Sequence, residues 1–159
     1  SYLKYKGYLG TIEPDLETGE LFGGYGFRTN EKVYDQIEHI VGKKIKKLEL
    51  VNSRFYHLDT CFVVLNGTTV GYVKEAFSEN SLRLIQQSFP TCIEIELEEA
   101  IQSFAGNALS VNGRDVILHQ GPQKFISDLK HHGFIVHEVD VSEFLKSGGA
   151  VFCMKQVLF

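Results

Sequence analysis

Two short segments, far apart in the chain, carry the residue types that can do chemistry. One is Phe55-Tyr56-His57-Leu58-Asp59-Thr60. The other is Ser147-Gly148-Gly149-Ala150-Val151-Phe152-Cys153-Met154. A His beside an Asp, together with a Cys behind a turn of small residues, supplies a base, an anion and a sulfur nucleophile. That set suits attack on a cationic amidine carbon: the anion holds the cation, the imidazole moves protons and the thiolate forms the new bond.

Each residue also has a structural reading. The small residues before Cys153 let the backbone turn tightly and leave room beside the sulfur; the alternative is a buried strand thiol. His57 has the near-neutral titration that acid–base work needs. Of the five other histidines, His131 and His132 end a helix, where positive charge suits the macrodipole. Asp59 lies two residues from His57, on the same side if the segment is a strand; it reads either as partner to an imidazolium or guanidinium or as a strand-end cap. Asn107, in Phe104-Ala105-Gly106-Asn107-Ala108-Leu109, reads as a pocket-floor hydrogen-bonding group or as a turn residue. Gly23-Gly24-Tyr25-Gly26 lacks the Lys-Ser/Thr of a phosphate loop and reads as a glycine-rich strand end.

The chain has 159 residues, an apolar content of 43% and a net charge of −4, which fits one domain, residues 1–159, with a real core. The charge argues against nucleic-acid binding, and Lys43-Lys44-Ile45-Lys46-Lys47 reads as a helix end running into a strand. No apolar run approaches a membrane span, and the first residues lack the apolar core of a signal peptide. Three cysteines without CxxC spacing exclude a zinc ribbon or disulfide framework; no metal and no cofactor is expected. A reducing compartment follows, intracellular in the cytoplasm or an organellar matrix. Cys61 and Cys92 sit in apolar strand-like runs and read as buried thiols.

The elements that must position these groups repeat. Thr18-Gly19, Asn66-Gly67 and Asn112-Gly113 mark hairpin turns at near-equal spacing, with type I′ geometry expected at Asn-Gly. After each turn come a strand, an amphipathic helix (near 31–40, 79–89 and 122–131) and a closing strand (45–50, 92–97 and 134–139). The spacing also predicts a short helix over 141–146 and a final strand over 151–158 that carries Cys153. The fold class is therefore α/β in about three β-β-α-β units, and repeats of this length stack or close around an axis. Closure would bring His57, Asp59, Asn107 and Cys153 to one centre.

At these residues the chain resembles the guanidino-group modifying enzymes of the pentein superfamily: amidinotransferases, arginine deiminases and dimethylarginine dimethylaminohydrolases. The resemblance runs through residues 18–29, 55–62, 104–107 and 148–154. It implies Cys153 as nucleophile, His57 as acid/base, Asp59 as guanidinium partner and Asn107 as a pocket residue. It implies reaction through a covalent amidino-thioether, with an arginine-like guanidino small molecule as substrate, in hydrolysis or amidino transfer. It also implies a β/α-propeller of about five units, of which this chain holds about three from the C-terminal portion. A second chain or a second copy would complete the ring. Where the family pattern has a Glu that supports the catalytic His, this chain has Lys6. A catalytically degenerate module acting in protein–protein assembly is therefore the alternative reading.

Overall fold

The structure, a computed structural model, describes residues 12–14 and 18–155. Lys6 and the end of the expected last strand lie outside the described residues.

Three three-stranded sheets follow one another, each with the same topology. In the first, β1 (Ile12–Pro14) pairs antiparallel with β2 (Leu21–Tyr25), which pairs parallel with β3 (Ile45–Glu49) across α1 (Val33–Val41). The second has β4 (Phe62–Asn66), β5 (Thr69–Tyr72), α2 (Glu79–Ser88) and β6 (Thr91–Glu94). The third has β7 (Leu109–Ser110), β8 (Asp115–His119), α4 (Gln123–His131) and β9 (Ile135–Val139). The parallel partner in each unit is reached through a helix because parallel strands need a long crossover.

Apolar side chains at helical and strand periods bind the units into one core. Phe22, Leu48, Phe62, Val70, Ile85, Phe89, Leu118, Phe125 and Leu129 are all buried within it. Both α2 and α4 pack on their own sheet and also cover the sheet before it. From α2, Phe89 stacks on Phe22 of β2 with ring centroids 5.2 Å apart, Ser81 Oγ accepts from Glu49 N at 2.8 Å, and Ser88 Oγ accepts from Lys46 Nζ at 3.0 Å. From α4, the Phe125 ring lies over Gly71 of β5, where an added Cβ would stand 3.0 Å from it.

Several expectations are corrected. Residues 95–97 do not extend β6: Leu97–Gln102 forms α3, an extra helix between β6 and β7. The Asn66 turn forms without positive φ at Asn66 or Gly67; Asn66 Oδ1 instead accepts from Thr68 N and Oγ1, both at 3.0 Å. Asn112 Oδ1 likewise accepts from Arg114 N and Asp115 N, with only Gly113 of the pair at positive φ. Chain 141–146 does hold a short helix, α5 (Ser142–Leu145). Cys153 is not on a strand, because Val151–Met154 forms one helical turn, α6. Its Phe152 N–H is tied to Asn107 O at 3.1 Å, a bond that fixes the turn in place of a strand ladder.

Candidate functional site

Three chain segments supply the predicted residues. Asp59 lies in a 3₁₀ turn, Leu58–Thr60, just before β4, and His57 caps that turn in extended conformation. The expected strand spacing of His57 and Asp59 is thus replaced by a turn that rotates the carboxylate inward. Asn107 lies in the loop between α3 and β7. That loop packs flush on the Asp59 turn: a Cβ on Gly106 would stand 2.6 Å from Thr60 O and 2.8 Å from Cys61 Cα. Cys153 is on α6.

Asn107 is the joint. Its Nδ2 donates to Asp59 O at 2.9 Å and Asp59 Oδ2 at 3.1 Å, and reaches Cys153 Sγ at 3.3 Å. Its Oδ1 accepts from Ala150 N at 3.0 Å and Cys153 N at 3.4 Å. One buried amide therefore aligns the carboxylate with the start of the cysteine helix. The Cys153 thiol donates to Asp59 Oδ2 at 3.1 Å. Asp59 is 2% exposed, and its Oδ1 is buried with no hydrogen-bond partner.

The structure therefore brings Cys153, Asp59 and Asn107 into mutual contact. His57 is placed differently. Among the described residues its ring makes no hydrogen bond to the sulfur; it senses Asp59 electrostatically and meets Tyr56 edge-on at 5.2 Å. Burial holds the imidazole below its ordinary pKa, against the pull of Asp59, and Arg28 pushes the same way as burial. Burial raises the Asp59 carboxyl, opposed by the Cys153 and Asn107 hydrogen bonds and by the charges of His57 and Lys155. Cys153 is an exposed residue, but its sulfur is turned toward Asp59 and partly desolvated there; the thiol is pushed up to about 11, first by that desolvation and then by Asp59, whose charge and hydrogen bond both favour the protonated sulfur. In this arrangement the thiol is a proton donor, not a thiolate.

Two residues outside the predicted set complete the surroundings. Tyr56 donates from its hydroxyl to Gly148 O and so ties the histidine segment to the glycine turn before Cys153. Arg28 lies over the Tyr56 ring, 4.2 Å from its centroid. Their signals in the sequence were an aromatic next to His57 and a lone cation after Gly26-Phe27, neither of which has a spacing rule. Among the described residues no group of three or more His, Cys, Asp or Glu could hold a metal, and no helix is long and apolar enough to cross a membrane. Cys61 is buried, while Cys92 is half-buried.

No family profile matches the chain. Individual proteins do. It is 39% identical over 139 residues to N(G),N(G)-dimethylarginine dimethylaminohydrolase of Mycobacterium tuberculosis, covering 87% of this chain and 45% of that protein. It is 37% identical over 142 residues to the bifunctional arginine dihydrolase/ornithine cyclodeaminase ArgZ of Synechocystis, covering 88% of this chain and 20% of that one. The crystal structure of the N-terminal domain of ArgZ with bound substrate superposes with a TM-score of 0.84 at 35% identity, over 91% of this chain and 53% of that one. The chain belongs to the pentein family of guanidino-group modifying enzymes. An amidinotransferase of saxitoxin biosynthesis, SxtG from Microseira wollei, shares the pentein fold at a TM-score of 0.71 and 18% identity. This pentein chain spans about half the length of the M. tuberculosis relative, and less of ArgZ.

Proposed function

We propose that the chain carries the nucleophile, acid–base and cation-holding groups of a guanidino C–N hydrolase acting on arginine or a derivative. The observation that carries this reading is the buried Asp59 carboxylate. One of its oxygens has no partner and the other holds the thiol proton of Cys153. A buried anion with an unmade hydrogen bond is costly, and a planar cation with parallel N–H donors answers that cost.

A guanidinium paired with Asp59 places its central carbon beside Cys153 Sγ. The cation takes up the carboxylate that now accepts the thiol proton, and its charge favours the thiolate. The proton passes to His57, the thiolate attacks the amidine carbon, and a tetrahedral adduct forms. His57 gives the proton to the departing nitrogen, which leaves as ammonia or an amine. The amidino-thioether that remains is attacked by water, with His57 taking the water proton. Collapse of the second adduct returns the thiolate and releases the ureido product. An amine in place of water would make the step an amidino transfer. Two relatives support hydrolysis, being described as hydrolases of arginine or dimethylarginine, and one solved form of the ArgZ N-terminal domain is described as covalently bonded to a reaction intermediate. The reading takes residues 1–159 as one domain of a larger propeller, in the cytoplasm or an organellar matrix.

The test is covalent labelling by a cationic haloacetamidine, read by intact mass. One adduct is expected on the native chain and none on Cys153→Ser. Equal labelling of the two would sink the proposal.

A further inference from the structure

A buried histidine in the third unit has no part in the chemistry above. His119 ends β8 and is 8% exposed. Its partners belong to the stretch of chain that leads to the nucleophile. That stretch leaves β9 at Val139, forms α5, turns at Gly148 with φ +80° and enters α6 with Cys153. Val141, Ala150 and Val151 are buried in one apolar cluster, with Leu109 and Ile117 of the third sheet packed against it. The segment is thus laid over the end of that sheet.

Both ends of the segment are pinned. At its far end Asn107 Oδ1 accepts from Ala150 N at 3.0 Å and Asn107 O accepts from Phe152 N at 3.1 Å. At its near end His119 Nδ1 accepts from Val141 N at 3.1 Å, in a buried bond. A ring nitrogen that accepts carries no hydrogen, so the imidazole is neutral with its proton on Nε2. The same Nδ1 lies 3.2 Å from Val139 O, which already accepts from Gln120 N at 3.0 Å. A proton on Nδ1 finds an acceptor in Val139 O and faces a donor in Val141 N. Protonation therefore exchanges one partner for the other and strips the Val141 N–H of its acceptor.

The charged groups around the ring are few and mostly paired. On its own face of the sheet, Asp115 and His137 meet each other at 2.7 Å. In the connection from β9 to α5, the Asp140 carboxyl is held low first by its hydrogen bonds from Ser142 and last by the charge of His119. On α5, Glu143 and Lys146 pair at 2.8 Å, and after α6 Lys155 lies over the Phe152 ring.

We infer, on the reading of Cys153 as nucleophile, that neutral His119 is a positioning residue for it. By accepting from Val141 N it seats the segment whose other end Asn107 fixes, and its protonation unseats that segment.

The experiment compares the native chain with His119→Asn, whose amide oxygen stands in for Nδ1 as an acceptor that does not titrate, and with His119→Phe, which keeps a ring and removes the acceptor. Haloacetamidine labelling of Cys153 is timed by intact mass from about pH 8 to about pH 5.5, the interval in which histidine changes charge. At the upper end His119→Asn should label within about twofold of native and His119→Phe about tenfold more slowly. The ratio of native to His119→Asn rates should fall about tenfold across the interval. Both proteins hold the same Cys153 and His57, so the ratio cancels the titration of those groups. Exchange protection of the Val141 amide should fall with pH in the native chain and hold in His119→Asn, and NMR of the ring nitrogens should place the native proton on Nε2 at the upper end. A proton on Nδ1 there, a ratio flat with pH, or native-rate labelling of His119→Phe would each overturn the inference. Should His119→Phe not fold, the tautomer and the ratio decide. The tautomer and the amide protection need no reagent. If Cys153→Ser labels as the native chain does, the chemical proposal falls, and the hold of His119 on the segment is judged by those two readings alone.

Discussion

Asp59→Asn should change the reactivity of Cys153 in opposite directions toward neutral and cationic electrophiles. Asp59 Oδ2 is 3.1 Å from the sulfur. At that distance a unit charge opposes thiolate formation by about 1.3 kcal/mol in a water-like dielectric and about 5 kcal/mol at an effective dielectric of about 20. The larger figure would move the thiol by about four pH units. The displacement of Cys153 from 9.0 to about 11 is the net of burial and of the Asp59 charge and hydrogen bond, opposed by the Asn107 and Ala150 bonds. Even at the water-like end the Asp59 charge corresponds to about one pH unit. Removing it should lower the thiol's pKa and raise the thiolate fraction, and with it the rate of alkylation by neutral iodoacetamide near pH 8, by about tenfold or more. With a cationic haloacetamidine the same substitution removes the anion that holds the probe, and labelling should slow by about tenfold or more. Both rates come from intact-mass time courses, with Cys153→Ser as the blank for Cys61 and Cys92. If Asp59→Asn slows or accelerates both reagents alike, the carboxylate does not hold a cation beside this sulfur, and the reasoning fails.

Stability should move the other way from activity. Burial raises the Asp59 pKa in the folded state, so its favourable contribution is complete below the unfolded value of 3.8 and is lost as pH rises through the folded value. Asp59→Asn should therefore add about 1 kcal/mol in urea unfolding at neutral pH, and the gap should close as pH falls below the ordinary carboxylate range. His57 should titrate higher in Arg28→Gln and lower in Asp59→Asn, because Arg28 depresses and Asp59 raises its pKa; the imidazole proton shifts in NMR titrations report both. Gly106→Ala should cost about 1–3 kcal/mol and slow haloacetamidine labelling. The atoms its Cβ would meet, Thr60 O and Cys61 Cα, are main chain and cannot swing away, so the Asn107 loop must lift from Asp59.

The three β-β-α-β units were readable because each contains one strand pair, one helix with a clear apolar stripe and one closing strand. Asp59, Asn107 and Cys153 were readable as candidates because their segments combine small residues with chemically able side chains. What was hidden lay below the length at which periodicity speaks. The helix of Cys153 is a single turn, set by a backbone bond to Asn107, 45 positions away. The 3₁₀ turn that points Asp59 inward is equally short. Leu97-Glu98-Glu99-Ala100-Ile101-Gln102 is too brief to be told from the end of the preceding strand. The exposure of Ile135 and Val139 was hidden for another reason: alternation marks two faces of a strand but not which of them another element covers. The aromatic beside His57 did not mark Tyr56 as a partner, because what it binds is a carbonyl that any residue could have supplied.

The division of labour between the two Asp59 oxygens ties binding to activation. Oδ1 has no partner, whereas Oδ2 holds the thiol proton and the Asn107 amide. A cation that pairs with Oδ1 alone offsets the Asp59 charge but leaves the thiol's hydrogen bond to Oδ2 in place. One that pairs with both oxygens displaces the thiol from its acceptor and opposes, with its own charge, the burial that keeps the sulfur protonated. Linkage makes this reciprocal: whatever the cation does to the thiol's proton affinity, loss of that proton does to the cation's affinity. A neutral ureido compound of the same shape lacks the charge and cannot trigger the change. On the proposed reading, such a site keeps Cys153 protonated at rest and would release it to planar cations, which would make the raised thiol pKa part of its selectivity.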